Sequence, residues 1–330
     1  MQIRTVLTWT IFLLFGLISL VSCTKREEVA IQRLDQQLFS GKSSDDIRNV
    51  LNQNPSVAQL YFNANGAGND TALVNELYTR VNDPELNVLY QQVQTEFGDM
   101  ADLKGQLSEA FANIKNDFPD FRPPRVVTVM SGFLGTDLLV SDSLVVIALD
   151  YFAGPNAKYR PQGPNFPQYI LRRYQKDYIV PAIVFALSDK YNATNPADQT
   201  LLADMVYYGK GYVFTKTMLP EVDNSFIIGY TEQQLVETYN AQDLVWAHFI
   251  DNQLLYQTNP AVKQRYLNER PFTAEIGPKA PGAIARWVGW RIVSRYFDES
   301  SNVSIQELMA NADARQIFQQ SGYKGQIEEE

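Results

Sequence analysis

At 330 residues, 45% of them hydrophobic and 20% charged, the chain can bury a full core as one large domain or two modest ones. Its net charge of −9, with no run of basic residues, argues against nucleic acid as a partner, because phosphate binding needs a clustered basic surface. A single cysteine and a single histidine exclude an internal disulfide and every zinc site built from several Cys and His ligands.

Residues 1–22 read as a lipoprotein signal peptide, not as part of the fold. Arg4 supplies a positive n-region, and an apolar run extends from Val6 to Val21. Leu20-Val21-Ser22-Cys23 then puts the lone cysteine at the cleavage point. This tetrad resembles the bacterial lipobox, in which the cysteine is diacylated and becomes the first residue of the mature chain. The competing reading is an ordinary signal peptide or membrane anchor with an incidental cysteine. One acyl chain anchors only marginally, whereas two or more hold stably. Residues 23–30 make the acylated cysteine and a short polar tether, and residues 31–330 are expected to fold as a single domain.

From Val29 to about Phe118 the pattern predicts short helices. Ser44-Asp45-Asp46 opens one, and Pro55 lies near the start of another. Asp83-Pro84-Glu85 combines an N-cap aspartate, proline at the first helical position and acid in the first turn. Arg125 to Ser131 and Leu144 to Asp150 are rich in β-branched residues and read as strands, with Thr136 to Val140 a shorter third. A small, mainly antiparallel sheet near 125–150, packed by helices, is the expectation. The absence of a β-α-β-α alternation argues against a doubly wound sheet.

Tyr151 to Pro167 is a loop with four prolines and two glycines; it is either a functional loop or a wrap over the sheet edge. Two consecutive helices follow with facing apolar stripes. The first begins near Pro181; the second follows Asp198, read as its N-cap, and stops at Pro220. Gly209 falls on the apolar stripe of the second, which predicts close approach of another backbone, since Gly costs a helix about 1 kcal/mol relative to Ala. Thr231 and Ser304 each open a capping box; the first starts a helix running toward Asn252. Gln257 to Pro281 reads as loop, Gly282 to Phe297 as a strongly apolar helix, and Ser321-Gly322 ends the last helix.

Little here points to catalysis. His248, among Trp246 and Phe249, reads as a packing or capping residue. No nucleophile elbow and no phosphate-binding glycine loop occurs. Asp137, Asp150 and Asp204 lie near apolar segments, but their spacing does not make them the paired acids of a glycosidase, and strand ends or solvated helix positions account for them.

Several segments resemble the gliding-motility lipoprotein GldB family: the Cys23 lipobox, Tyr151 to Asn156, Tyr178 to Pro181, Met205 to Lys210, Met218-Leu219-Pro220, Ile228 to Thr231, Pro271-Phe272-Thr273, and Pro281-Gly282 through Val293. That family is distantly similar to predicted zinc peptidases, whose first helix carries His-Glu-x-x-His and whose second carries a Glu-Gly pair. Gly289-Trp290 and Ser321-Gly322-Tyr323 keep the closing pattern, but Ile179 to Ala186 holds neither His nor Glu, and Tyr208-Gly209 stands in place of Glu-Gly. The resemblance therefore implies an α+β, predominantly helical, zincin-like degenerate peptidase scaffold, with no catalytic residue, no metal and no cofactor. It implies a groove lined by Tyr208, Lys210, Arg286 and Trp290. The expected role is a non-catalytic envelope lipoprotein of the gliding or secretion machinery, held in the membrane by its lipid and acting on other envelope or motility proteins. The outer membrane, on its periplasmic face, is the expected location. A cryptic hydrolase, or a peptide- or glycan-binding lipoprotein using the former peptidase cleft, is the alternative.

Overall fold

A computed structural model describes residues 28–300 and 302–326. The leader, Cys23 and the first part of the tether lie outside the described residues. The amino-terminal third is a layer of helices: α1 (Leu34–Phe39), α2 (Ser44–Gln53), α3 (Pro55–Leu60), α4 (Thr71–Val81), α5 (Pro84–Phe97) and α6 (Ala101–Asp117). Local chemistry sets their starts. Ser43 and Asp46 close a capping box on α2, and the Asp83 carboxylate accepts from the amides of Glu85 and Leu86 at the head of α5.

The sheet differs from the expectation. Its four strands, β1 (Ile31–Arg33), β2 (Arg125–Val129), β3 (Leu138–Val140) and β4 (Leu144–Ala148), lie in the order β1-β2-β4-β3. β1 pairs parallel with β2 and β2 parallel with β4; only β3 runs antiparallel, to β4. The sheet is thus mixed, with two of its three ladders parallel, and not mainly antiparallel. The reason lies in the residue pattern. β2 and β4 are near-continuous apolar runs, and all of β4 is buried, as strands covered on both faces must be, whereas a half-exposed antiparallel strand alternates. No crossover helix is needed between β2 and β4. The chain leaves β2 at its carboxyl end, passes β4 through Gly132 and Gly135, descends as β3 and turns at Ser141 to Ser143 into β4. Both glycines have positive φ, +70° and +107°, which a side chain would strain.

Asp150, at the carboxyl end of β4, holds this connection: its carboxylate accepts from the amides of Ser131 (3.1 Å) and Phe133 (2.7 Å). Burial raises its pKa, and the backbone donors oppose that shift. At the opposite edge, Asp35 is buried and accepts from Arg33, Gln94 and Thr128, tying β1, α5 and β2 together. The loop from Tyr151 to Pro167 has no regular secondary structure and wraps the sheet's carboxyl edge and α5. The Tyr151 hydroxyl donates to the Gly135 carbonyl (2.8 Å), and the Lys158 amide donates to Gln92 (3.0 Å).

The carboxyl-terminal half is helical: α7 (Gln168–Leu171), α8 (Ile179–Ser188), α9 (Leu201–Met218), α10 (Asn224–Ile228), α11 (Glu232–Asn240), α12 (Gln242–Asp251), α13 (Pro260–Leu267), α14 (Ile284–Glu299), α15 (Ile305–Ala310) and α16 (Ala314–Ser321). α9 is the axis. It is buried on nearly every side, including Phe214, Thr215 and Met218 outside the expected stripe, so a one-face reading undercounts it. Its N-cap is Thr200, whose hydroxyl accepts from the Ala203 amide; Asp198 instead accepts from Thr200. Three further expectations shift. The helix opened by Thr231 breaks at Ala241 into α11 and α12, α13 occupies part of the segment read as loop, and two helices, α15 and α16, follow Ser304.

α8 packs on one side of α9 and α14 on another. Gly209 meets Gly289 at the α9–α14 crossing. A Cβ on Gly209 would stand 2.3 Å from the Gly289 carbonyl oxygen, and one on Gly289 1.9 Å from that of Met205. The close backbone approach expected at Gly209 is therefore present, and it is reciprocal.

Candidate functional site

A cleft of about 300 Å³ opens between α8, α9, α10, α14 and the Asp137–Leu138 corner of the sheet. Its walls are aromatic: Phe152, Tyr174, Tyr178, Phe185 and Phe226. Local packing sets them. Tyr174 stands edge-on to Tyr151 and Phe152, and Tyr178 edge-on to Phe226, with ring centroids 5.0 Å apart.

One end is charged. Arg173, two residues past α7, clamps Glu269 with both terminal nitrogens, and its Nε donates to the Gly229 carbonyl (3.2 Å). Burial lowers the Arg173 pKa, but the Glu269 hydrogen bond and charge override it and raise the pKa overall. Gly229, the C-cap of α10, sits at φ +78° against the Arg173 guanidinium, where a Cβ would come within 2.4 Å of Nε. Arg172 donates to the same carbonyl and to Gln234; burial, then the charge of Arg173, lowers its pKa. Arg286, in the first turn of α14, lies 3.6 Å from Glu269 and stacks on the Tyr208 ring at 4.3 Å. Burial pushes the pKa of the Tyr212 hydroxyl up to about 12, against the pull of Arg286. Arg286 Nε is buried and has no hydrogen-bond partner among the described residues. Asp137 stands at the sheet side, where its carboxylate accepts from the Leu138 amide and the Thr136 hydroxyl.

Of the four residues expected to line a groove, the structure brings two together, Tyr208 and Arg286. Lys210 is elsewhere: two residues on from Tyr208, roughly 200° around α9, it is 1% exposed. Its ammonium donates to the carbonyls of Ala193 (2.7 Å), Met309 (3.1 Å) and Asn311 (2.8 Å), and burial lowers its pKa to about 8. It ties α9 to the end of α15. Trp290 is buried against Tyr212, with ring centroids 5.2 Å apart, and faces a second groove shared with Trp287, Tyr239 and Phe297. Arg173, Glu269 and Tyr212 escaped the sequence reading. The adjacent Arg172-Arg173 pair inside Tyr169 to Tyr174 was the available signal, since two cations amid aromatic and aliphatic residues need partners.

The remaining candidates have structural engagements. His248, half-buried on α12, shares a hydrogen bond with the Tyr266 hydroxyl (3.0 Å). Asp204 pairs with Lys263 (2.6 Å). Among the described residues no three His, Cys, Asp or Glu side chains stand together so as to hold a metal ion, and no helix is long and apolar enough to cross a membrane.

Comparison with known families gives one match: the profile described as gliding motility protein GldB covers residues 21–325. No curated protein and no solved structure matches.

Proposed function

The chain belongs to the gliding motility protein GldB family, and from that premise we propose that it is a lipid-anchored, non-catalytic component of the gliding or secretion machinery that works through protein contacts. The match over nearly the whole chain carries the envelope-lipoprotein part of this reading. Acylation at Cys23 and residence on the periplasmic face of the outer membrane extend it.

The non-catalytic part draws on the residues of α8 and α9. Ile179 to Ser188 contains no imidazole and no carboxylate, and Tyr208, which the resemblance sets against a ligand glutamate, is stacked under Arg286. Catalytic zinc needs about three protein ligands and an open position, almost always including His or Cys. Two of the three acids singled out in the sequence are engaged structurally: Asp150 is buried on backbone amides and Asp204 is in an ion pair, which leaves Asp137 in the cleft wall without a second acid singled out beside it. On this reading the chain keeps a peptidase-like helical frame and has lost its chemistry.

The test is crosslinking in intact cells, followed by purification of the full-length chain from membranes. The expected result is a defined set of envelope proteins joined to the chain, with Cys23→Ala found in the soluble fraction, still folded and without those adducts. An uncrosslinked chain that hydrolyses peptides would overturn the proposal.

A further inference from the structure

The aromatic cleft is not electrically balanced at its charged end. Two guanidinium groups, Arg173 and Arg286, face one carboxylate, Glu269, and Arg172 stands behind them. Arg173 engages Glu269 with a hydrogen bond to one oxygen and an ion-pair contact to the other. Arg286 is left with a loose 3.6 Å approach to Glu269 and a buried Nε without an acceptor among the described residues. An arginine fork has five N–H donors and matches a carboxylate in two-point geometry. The Arg286 side chain as a whole is 19% exposed.

We propose that this cleft binds the free C-terminal carboxylate of a peptide ending in apolar residues, with the carboxylate on Arg286 and the terminal side chain between Phe185, Tyr178 and Phe226. With Arg172, Arg173 and Arg286 set against Glu269 and the cleft's other carboxylate, Asp137, the surplus is a single positive charge, which suits a monoanion. A phosphate or a polyanion would face Glu269 and Asp137 with excess negative charge. At about 300 Å³ the cleft is at the lower end of ligand sites, so it admits a residue or two and not a long segment. Asp137 at the sheet side offers an acceptor for a peptide N–H, which favours a peptide over a fatty acid. The inference rests on the reading of this chain as one that works through protein contacts, and it gives that reading a place and a chemistry.

The test is calorimetric titration of the full mature chain with N-acetyl-leucyl-phenylalanine, its C-terminal amide, and octanoate. The acid is expected to bind, with at least about tenfold weakening on amidation and a similar gap to octanoate, because both changes remove a partner the cleft supplies. Arg286→Met should abolish binding of the acid while circular dichroism stays unchanged; Arg286→Lys, which keeps the charge but not the fork, should recover part of it. If Arg286→Met does not fold, the comparison of acid and amide on the unaltered chain decides alone. Equal binding of acid and amide, octanoate binding as tight as the peptide, or no binding of the acid would each overturn the proposal. Loss of this proposal alone would leave crosslinked envelope partners in place, so the two failures are distinguishable.

Discussion

Gly209 and Gly289 show how a single missing Cβ sets the position of two helices. Alanine at position 289 would gain about 1 kcal/mol of helix propensity. Its Cβ would also lie 1.9 Å from a backbone oxygen of α9, which no rotamer change relieves. Overpacking costs run about 1–3 kcal/mol and occasionally more, and this contact belongs at the high end, so the clash wins. Gly289→Ala should therefore destabilise the chain by about 3 kcal/mol, read as a lowered urea midpoint. Lys210 is a second residue whose role is fixed by its surroundings. Its proton leaves near pH 8 in the folded chain, against 10.5 for an unperturbed lysine. Between those values the unfolded chain holds more protons, so this group makes stability rise with pH across that window. The urea midpoint of the unaltered chain should rise between pH 7.5 and 9.5 relative to that of Lys210→Met. The Met variant should be weaker throughout, because three buried carbonyls lose their donor. Parallel midpoints for the two chains would remove this account of Lys210.

Helix ends were legible because their determinants lie within four residues of each other. Thr231 with Gln234 and Ser304 with Glu307 form the reciprocal bonds that their spacing implies, and Asp83 caps α5. Where two candidate caps compete the sequence is less decisive: Thr200 caps α9, and Asp198 caps Thr200. Strand pairing is different, since partners lie far apart in the chain. Nothing local marks Ile31–Arg33 as a strand; it forms because Val126 to Thr128 offers a free edge. The apolar continuity of β2 and β4 did carry the clue to their parallel pairing. The packing of α14 on α9 gives the clearest test at this scale. Trp290 is 8% exposed and packs on Tyr212. Trp290→Ala should cost about 3–5 kcal/mol in urea unfolding, and a loss under about 1 kcal/mol would mean that the indole is not buried in this crossing.

Across the whole molecule the charged end of the cleft joins residues 173, 269 and 286, which no local pattern relates. Tyr208 and Arg286, named from the resemblance, stack on each other; Lys210 and Trp290 could not be sorted without the helix rotation. The topology also bears on how the chain sits on a membrane. β1 begins beside the amino end of β2, whereas Asp137 stands by the carboxyl end of β4. Glu28 lies five positions after Cys23, a maximum reach of roughly 17 Å. The proposed acylation at Cys23 would thus tether the chain on the side of the β1 edge, with the cleft's sheet wall at the opposite edge.

The central claim is that this frame carries contacts and not hydrolysis. Zinc content of the mature chain, purified without chelator and assayed beside its activity on a peptide mixture, tests it most directly. The account predicts zinc well below one per chain, no hydrolysis and no stabilisation by added zinc. One zinc per chain, with hydrolysis that chelator abolishes and zinc restores, would contradict it.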